Sequence, residues 1–160
     1  MLQLKKKIEL NVFLLLSIIA LSSALFIEHS LDHRPCNLCL LERVPYILTI
    51  ILVISVSIFK SFEKNIFLLL SLTFLLATLL SFYHFGIEQG FIEESTVCDI
   101  KQQTNNLSKK DLLKELNNSK ISCKDVNFRF FTFSLATINT FISLIFSIIA
   151  FRIFINYEKK

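Results

Sequence analysis

The chain has no tryptophan, one methionine, two glycines and two prolines among its 160 residues. So few turn formers, together with 53% hydrophobic residues and a mean hydropathy of +0.60, exclude an ordinary soluble globular domain and point to long apolar helices. The lack of tryptophan itself carries little weight beside the abundance of Phe, Ile, Lys and Asn, which base composition alone can produce. No basic stripe with interleaved aromatics lies outside the apolar runs, which excludes nucleic acid as a partner. There is no internal repeat and no low-complexity linker, and the length predicts one domain over residues 1–160.

What is present is a set of long apolar runs. Each is close to the about 20 residues a helix needs to cross the hydrocarbon core, and they predict spans at 8–27, 41–59, 66–85 and 132–155. The first follows Lys5, Lys6 and Lys7, the polarity of a signal peptide. It exceeds the roughly 7–15 residues of a signal h-region and no A-x-A site follows it, so a retained first helix is expected. The fold expected is an all-α membrane protein, an antiparallel four-helix transmembrane bundle with loops at 28–40 and 86–131. Membrane lipid is then its solvent.

Charge sets the orientation. The N-terminus, the turn at 60–65 and the C-terminus carry eight basic residues (Lys5, Lys6, Lys7, Lys60, Lys64, Arg152, Lys159, Lys160) against three acids (Glu9, Glu63, Glu158). The first loop has three acids and two bases, counting Glu42 and Arg43, and the second has seven of each. The positive-inside rule predicts both termini in the cytoplasm and all four cysteines outside. In a bacterium this means a multi-pass protein of the inner membrane whose cysteine loops face the periplasm, where disulfides persist.

Cys36 and Cys39 have the C-x-x-C spacing, and Arg43 follows four residues later. If the stretch is one helix, the three fall at i, i+3 and i+7 on a single face. A thiolate there is stabilised by a nearby cation and by a helix N-terminus. Pro45 disturbs that picture, since it lacks an N–H and meets the carbonyl of Leu41. Either the cysteine segment is a separate turn and the span starts near Pro45, or the helix kinks there. Arg43 alone would read as a lipid-anchoring arginine; beside the C-x-x-C it reads as functional. Glu42 is expected to be a helix-start or surface acid. His84 fits equally a ligand-pocket residue and an ordinary interfacial histidine beside Tyr83.

Four cysteines allow three pairings. Cys98 with Cys123 would close a loop of roughly 25 residues, and as a staple would contribute on the order of 3–4 kcal/mol. A C-x-x-C closes too small a loop to serve that way, which favours redox work over a non-catalytic protein with structural disulfides. Zinc on four thiolates is disfavoured by the oxidising side and by having one C-x-x-C and not two, so no metal is expected. Within the second loop, Ser108 and Asp111 have capping-box spacing, with Leu107 and Leu112 at the staple positions, which predicts a short amphipathic helix over about 109–117.

These residues carry a resemblance. Pro35-Cys-Asn-Leu-Cys-Leu-Leu-Glu-Arg43 resembles the P-C-x-L-C-x-x-E/Q-R motif of the DsbB family of membrane disulfide-generating proteins. Tyr83-His-Phe-Gly-Ile-Glu88 is similar to that family's Y-H-x-G-V-E stretch. Cys98, the run Cys123 to Arg129, and Ser134-Leu-Ala136 resemble its second cysteine loop and the start of its fourth helix. The sequence departs at Gln89, Phe128 and Ile138, where relatives often have Trp. The resemblance implies a thiol:quinone oxidoreductase that reoxidises a DsbA-like periplasmic oxidase of thioredoxin fold. Cys98–Cys123 would be the shuttle disulfide, attacked at Cys98 by the reduced partner. Cys123 would then turn on Cys36, and the freed Cys39 would pass electrons to ubiquinone or menaquinone of the membrane pool. Arg43 would hold a quinone oxygen, with His84 as a second candidate in the quinone pocket.

Overall fold

A computed structural model of the chain describes residues 2–31, 35–58, 63–93, 98, 122–124, 129–130 and 133–157. The amphipathic helix expected over 109–117 lies outside the described residues. Five helices are described: α1 (Leu2–Ser30), α2 (Asn37–Leu41), α3 (Val44–Ile58), α4 (Glu63–Glu88) and α5 (Leu135–Tyr157). A two-stranded antiparallel pair, β1 (Arg129–Phe130) with β2 (Phe133–Ser134), leads into α5. Four stretches are long and apolar enough to cross a membrane: Lys7–Ser30, Asn37–Val56, Lys64–Glu88 and Leu135–Tyr157. The four-helix bundle expected from the apolar runs is the fold.

The second stretch is two helices and not one. α2 ends at Leu41, Glu42 and Arg43 form a turn, and the Arg43 carbonyl accepts the Ile47 N–H at 3.2 Å to open α3. Pro45 then falls in the first turn of α3, where its missing N–H costs nothing and its fixed φ suits the helix. Of the two arrangements that Pro45 allowed, the separate turn is adopted. The single-face alignment of Cys36, Cys39 and Arg43 therefore does not form, because Arg43 belongs to the break.

Helix α4 ends where both glycines of the chain stand. Gly90 has φ +75°, the left-handed conformation that only glycine adopts without strain. Its N–H reaches Ile87 O at 3.0 Å and the Phe91 N–H reaches Gly86 O at 2.9 Å, the paired bonds of a Schellman cap. At Gly86 the Ile92 side chain packs close, so that a Cβ there would meet Ile92 Cδ1 at 2.6 Å and the isoleucine would have to turn aside. This cap sets the end of α4 one turn beyond His84.

In lipid, apolar helices gain little by hiding apolar surface from one another, so packing and hydrogen bonds must hold the bundle. Both are visible. α4 and α5 form the most extensive pairing, and the buried residues of α5 are all small: Ala136, Ser143, Ser147 and Ala150. Small side chains let the backbones approach, and Ser71 and Ser147 each donate a hydroxyl to the other's carbonyl, at 3.2 and 3.0 Å. Phe13, Phe74 and Phe146, from α1, α4 and α5, form an aromatic layer with centroids 5.0 to 6.1 Å apart. Tyr46 of α3 adds its ring edge to Phe74 at 5.9 Å.

Candidate functional site

Cys36 is the N-cap of α2, with its Sγ accepting the Cys39 N–H at 3.2 Å. The C-x-x-C spacing produces this directly: three residues is one helical turn, so the second cysteine returns above the first. The two sulfurs lie 2.7 Å apart and are not bonded to each other. Cys36 is buried and Cys39 is partly exposed.

The third reactive group comes from α4. His84 is 3% exposed, with Nε2 3.6 Å from Cys36 Sγ and Nδ1 2.7 Å from Glu42 Oε1. The carboxylate accepts the Nδ1–H hydrogen bond, which fixes the ring and turns Nε2 toward the sulfurs. Glu88, one turn further along α4, has Oε1 3.8 Å from Nε2. The Cys36 thiol is pulled down to about 5, first by the hydrogen bond from the Cys39 thiol, against the opposing effect of burial, and further by His84. A thiolate at Cys36 is thus the favoured form of the reduced pair.

Glu42 is no surface acid. It is 8% exposed, and its second oxygen accepts the Asn139 amide at 2.8 Å. Burial of an acid is tolerated where both oxygens are bonded. Asn139 of α5 also donates to Ser81 Oγ at 2.7 Å, while its carbonyl oxygen accepts the Tyr46 hydroxyl. One polar layer therefore joins α3, α4, α5 and the Glu42–Arg43 turn directly beneath Cys36. Sequence reasoning missed Glu42 and Asn139. The available signal was Asn139 itself, an amide inside an otherwise apolar span, where a polar group needs a partner.

Cys98 and Cys123, 25 residues apart, form a disulfide with Cα atoms at 5.5 Å. Of the three possible pairings, this is the one present. Both residues are buried, and they share one packed cluster with Cys36, Leu38 and Ile87, against which Cys39, Leu80 and Tyr83 also pack. Two cysteine pairs from separate loops are thereby brought together at one end of the bundle.

A family model described as disulfide bond formation protein DsbB matches residues 6–153. The chain belongs to the DsbB family. It is also similar to an uncharacterized protein of Rickettsia prowazekii (strain Madrid E), 36% identical over 87 residues, which are 54% of this chain and 51% of the relative. The matched stretch spans about half the length of that curated relative. No solved structure matches the chain. As a DsbB family member with four membrane-capable stretches, it is a multi-pass membrane protein.

The remaining expected site residue, Arg43, stands apart from the polar layer. Its Nη1 donates to Glu28 Oε2 at 2.6 Å, tying the α2–α3 turn to the end of α1. Both side chains are partly exposed, at 18% and 28%. A guanidinium has five donors, so one bond to Glu28 leaves others to meet an acceptor oxygen. The structure thus brings together Cys36, Cys39, His84, Cys98 and Cys123, and places Arg43 at their edge by sequence but in contact with α1.

Proposed function

We propose that this DsbB family member is a membrane thiol:quinone oxidoreductase that generates disulfides and returns them to a periplasmic thioredoxin-fold oxidase. The observation that carries this reading is the shared packing of Cys98–Cys123 with Cys36, since a relay needs its two pairs in reach. In the first exchange a thiolate of the reduced partner attacks Cys98 Sγ and Cys123 leaves. The partner's second thiolate then attacks its own sulfur in the mixed disulfide and releases Cys98. Two electrons and two protons have moved to the Cys98/Cys123 pair, and the partner leaves oxidised. Cys123 next attacks Cys36 of the Cys36–Cys39 disulfide and Cys39 leaves as thiolate; Cys98 then attacks Cys123 in the mixed disulfide, re-forming Cys98–Cys123 and releasing Cys36 as thiolate. Each step is a thiolate displacement on a disulfide sulfur, governed by access and by thiolate character.

A bound quinone would accept the two electrons and two protons released when the Cys36–Cys39 disulfide is restored. The residues present fit such a molecule: Cys39 is partly exposed, and Arg43 offers charged donors at the edge of a span. His84, bonded to Glu42, is placed to hold or move the proton of Cys36. The whole chain acts as one integral domain, with termini in the cytoplasm and the cysteine loops in the periplasm of the bacterial inner membrane, in keeping with its charge bias.

The test is quinone reduction by a reduced partner. Cys36→Ser and Cys39→Ser should abolish it with any thiol donor. Cys98→Ser and Cys123→Ser should abolish it with the protein partner, while a small dithiol still drives quinone reduction through Cys36 and Cys39. Arg43→Ala should raise the KM for quinone at least about tenfold, the loss of roughly 1.4 kcal/mol of binding. Normal partner oxidation by both second-loop variants would leave Cys98–Cys123 a staple and remove the relay.

A further inference from the structure

The reduced site has a second chemistry that does not involve electron transfer. We propose that, when Cys36 and Cys39 are reduced, they bind one zinc ion together with His84 Nε2. Donor atoms of the three residues lie within 4.8 Å of one another, a grouping no other His, Cys, Asp or Glu set matches among the described residues. The sulfurs are 2.7 Å apart and Nε2 is 3.6 Å from Cys36 Sγ, so modest spreading of the sulfurs admits an ion between them. This is not the four-thiolate set that the cysteine count suggests. Cys98 and Cys123 are used in their own disulfide, and the third donor is a histidine from 45 residues beyond Cys39, invisible until α4 folds back.

The surroundings are those of a metal ligand. Glu42 Oε1 holds the Nδ1 proton of His84, and Asn139 holds Glu42 in turn. A carboxylate behind a histidine fixes the tautomer that presents its Nε2 lone pair and raises its basicity, an arrangement typical of zinc-binding histidines. Glu88 adds an independent sign. Its Oε2 is buried and has no hydrogen-bond partner among the described residues, and its Oε1 is 3.8 Å from Nε2. Glu88 thus puts a buried, incompletely bonded carboxyl group beside Nε2, where a cation would offset its charge.

Charge chooses the ion. Two thiolates and a neutral imidazole around Zn²⁺ make a site with no net charge, which suits burial at a membrane edge. A monovalent ion on the same donors would leave a net negative charge beside Glu42 and Glu88. Three protein ligands with an open fourth position is a familiar zinc arrangement. Binding changes no oxidation state: each protonated thiol loses its proton to solvent, and two Zn–S bonds and one Zn–N bond form. The oxidised pair has no thiolate to offer, so the ion binds the reduced form alone. Zinc would therefore hold the protein in its reduced state. The binding is independent of the proposed electron route, and only its inhibitory consequence rests on that route.

The experiment uses the full chain carrying Cys98→Ala and Cys123→Ala, in detergent, reduced and then freed of reductant. Zinc chloride is titrated in competition with a chromophoric chelator. One equivalent should bind to the reduced protein and none to the same protein after oxidation of Cys36 and Cys39. Glu42→Gln should weaken binding by about 10–100-fold, and His84→Ala by more, since it removes a ligand and not its support. X-ray absorption on the zinc-loaded protein, which needs no further variant to fold, should give two sulfurs at about 2.3 Å and nitrogen at about 2.0–2.1 Å. Equal zinc in the oxidised protein, unchanged affinity in His84→Ala, or an all-sulfur spectrum would each overturn the site. None of these outcomes would touch the relay, which is read by quinone reduction without zinc.

Discussion

The bundle is held by two layers of opposite character. The aromatic layer, Phe13, Phe74 and Phe146, has shape and no charge, and joins α1, α4 and α5 by ring contacts. The polar layer, Glu42, Ser81, His84 and Asn139, joins α4, α5 and the α2–α3 turn by short hydrogen bonds. Tyr46 belongs to both, with its ring on Phe74 and its hydroxyl on Asn139. Each layer serves a different end. Ring packing tolerates small slides, whereas the polar layer has partners in only one register. That register is what puts Nε2 of His84 against Cys36.

The largest effect is expected from Glu42→Ala. It strips His84 and Asn139 of a buried charged partner, and losing one side of such a pair costs about 3–5 kcal/mol. Denaturant unfolding in detergent should register that loss, and quinone reduction should fall with it. An effect smaller than that of Phe74→Ala would overturn the ranking of the layers. Phe74→Ala comes next. A buried Phe in a water-soluble core costs about 3–5 kcal/mol, but here the unfolded reference also sits in an apolar medium, so the packing loss alone should be about 2–3 kcal/mol. Turnover per folded molecule should stay within about twofold of the parent, because no reacting atom touches this layer.

Tyr46→Phe separates the layers within one residue. It keeps the ring on Phe74 and deletes the hydroxyl, and a single hydrogen bond between membrane helices averages about 0.6 kcal/mol, with ~1.7 as the upper end. Stability should drop by that amount. A loss as large as that of Phe74→Ala would mean that the hydroxyl, and not the ring, anchors α3. The smallest effect is chemical and costs no stability. In reduced, metal-free protein lacking Cys98 and Cys123, the rate of Cys36 alkylation should be followed against pH by mass spectrometry. The thiol is lowered to about 5, so the reactive thiolate is lost only as pH falls through that value. The rate should rise near pH 5 and be level by neutrality. A rise delayed to the about 8.5 of an ordinary cysteine would remove the influence of Cys39 and His84.

Much of this was legible in the chain itself. The apolar runs specify the four-helix class, since only a helix satisfies its own backbone within lipid. The C-x-x-C specifies a local pair, because one helical turn brings the second cysteine over the first. The family motifs around Cys36 and Tyr83 are contiguous and can be read without folding. Pro45 announced a break and left its form open. Arg43 was aligned with the cysteines on a helix that ends two residues before it, and it meets Glu28 instead.

The properties set by near neighbours along the chain could be read without folding it: the spans, the local thiol pair and the motifs of the DsbB family. The meetings between helices depend on the folded chain, because they join residues far apart in sequence. Glu42 and His84 are 42 residues apart, and Glu42 and Asn139 are 97 apart. No periodicity encodes which acid turns inward, because a residue at the start of a span can face water or the bundle with equal pattern. The decision is energetic and collective. Glu42 is buried because His84 and Asn139 arrive from two other helices to satisfy both of its oxygens, and His84 faces Cys36 because Glu42 holds its other nitrogen.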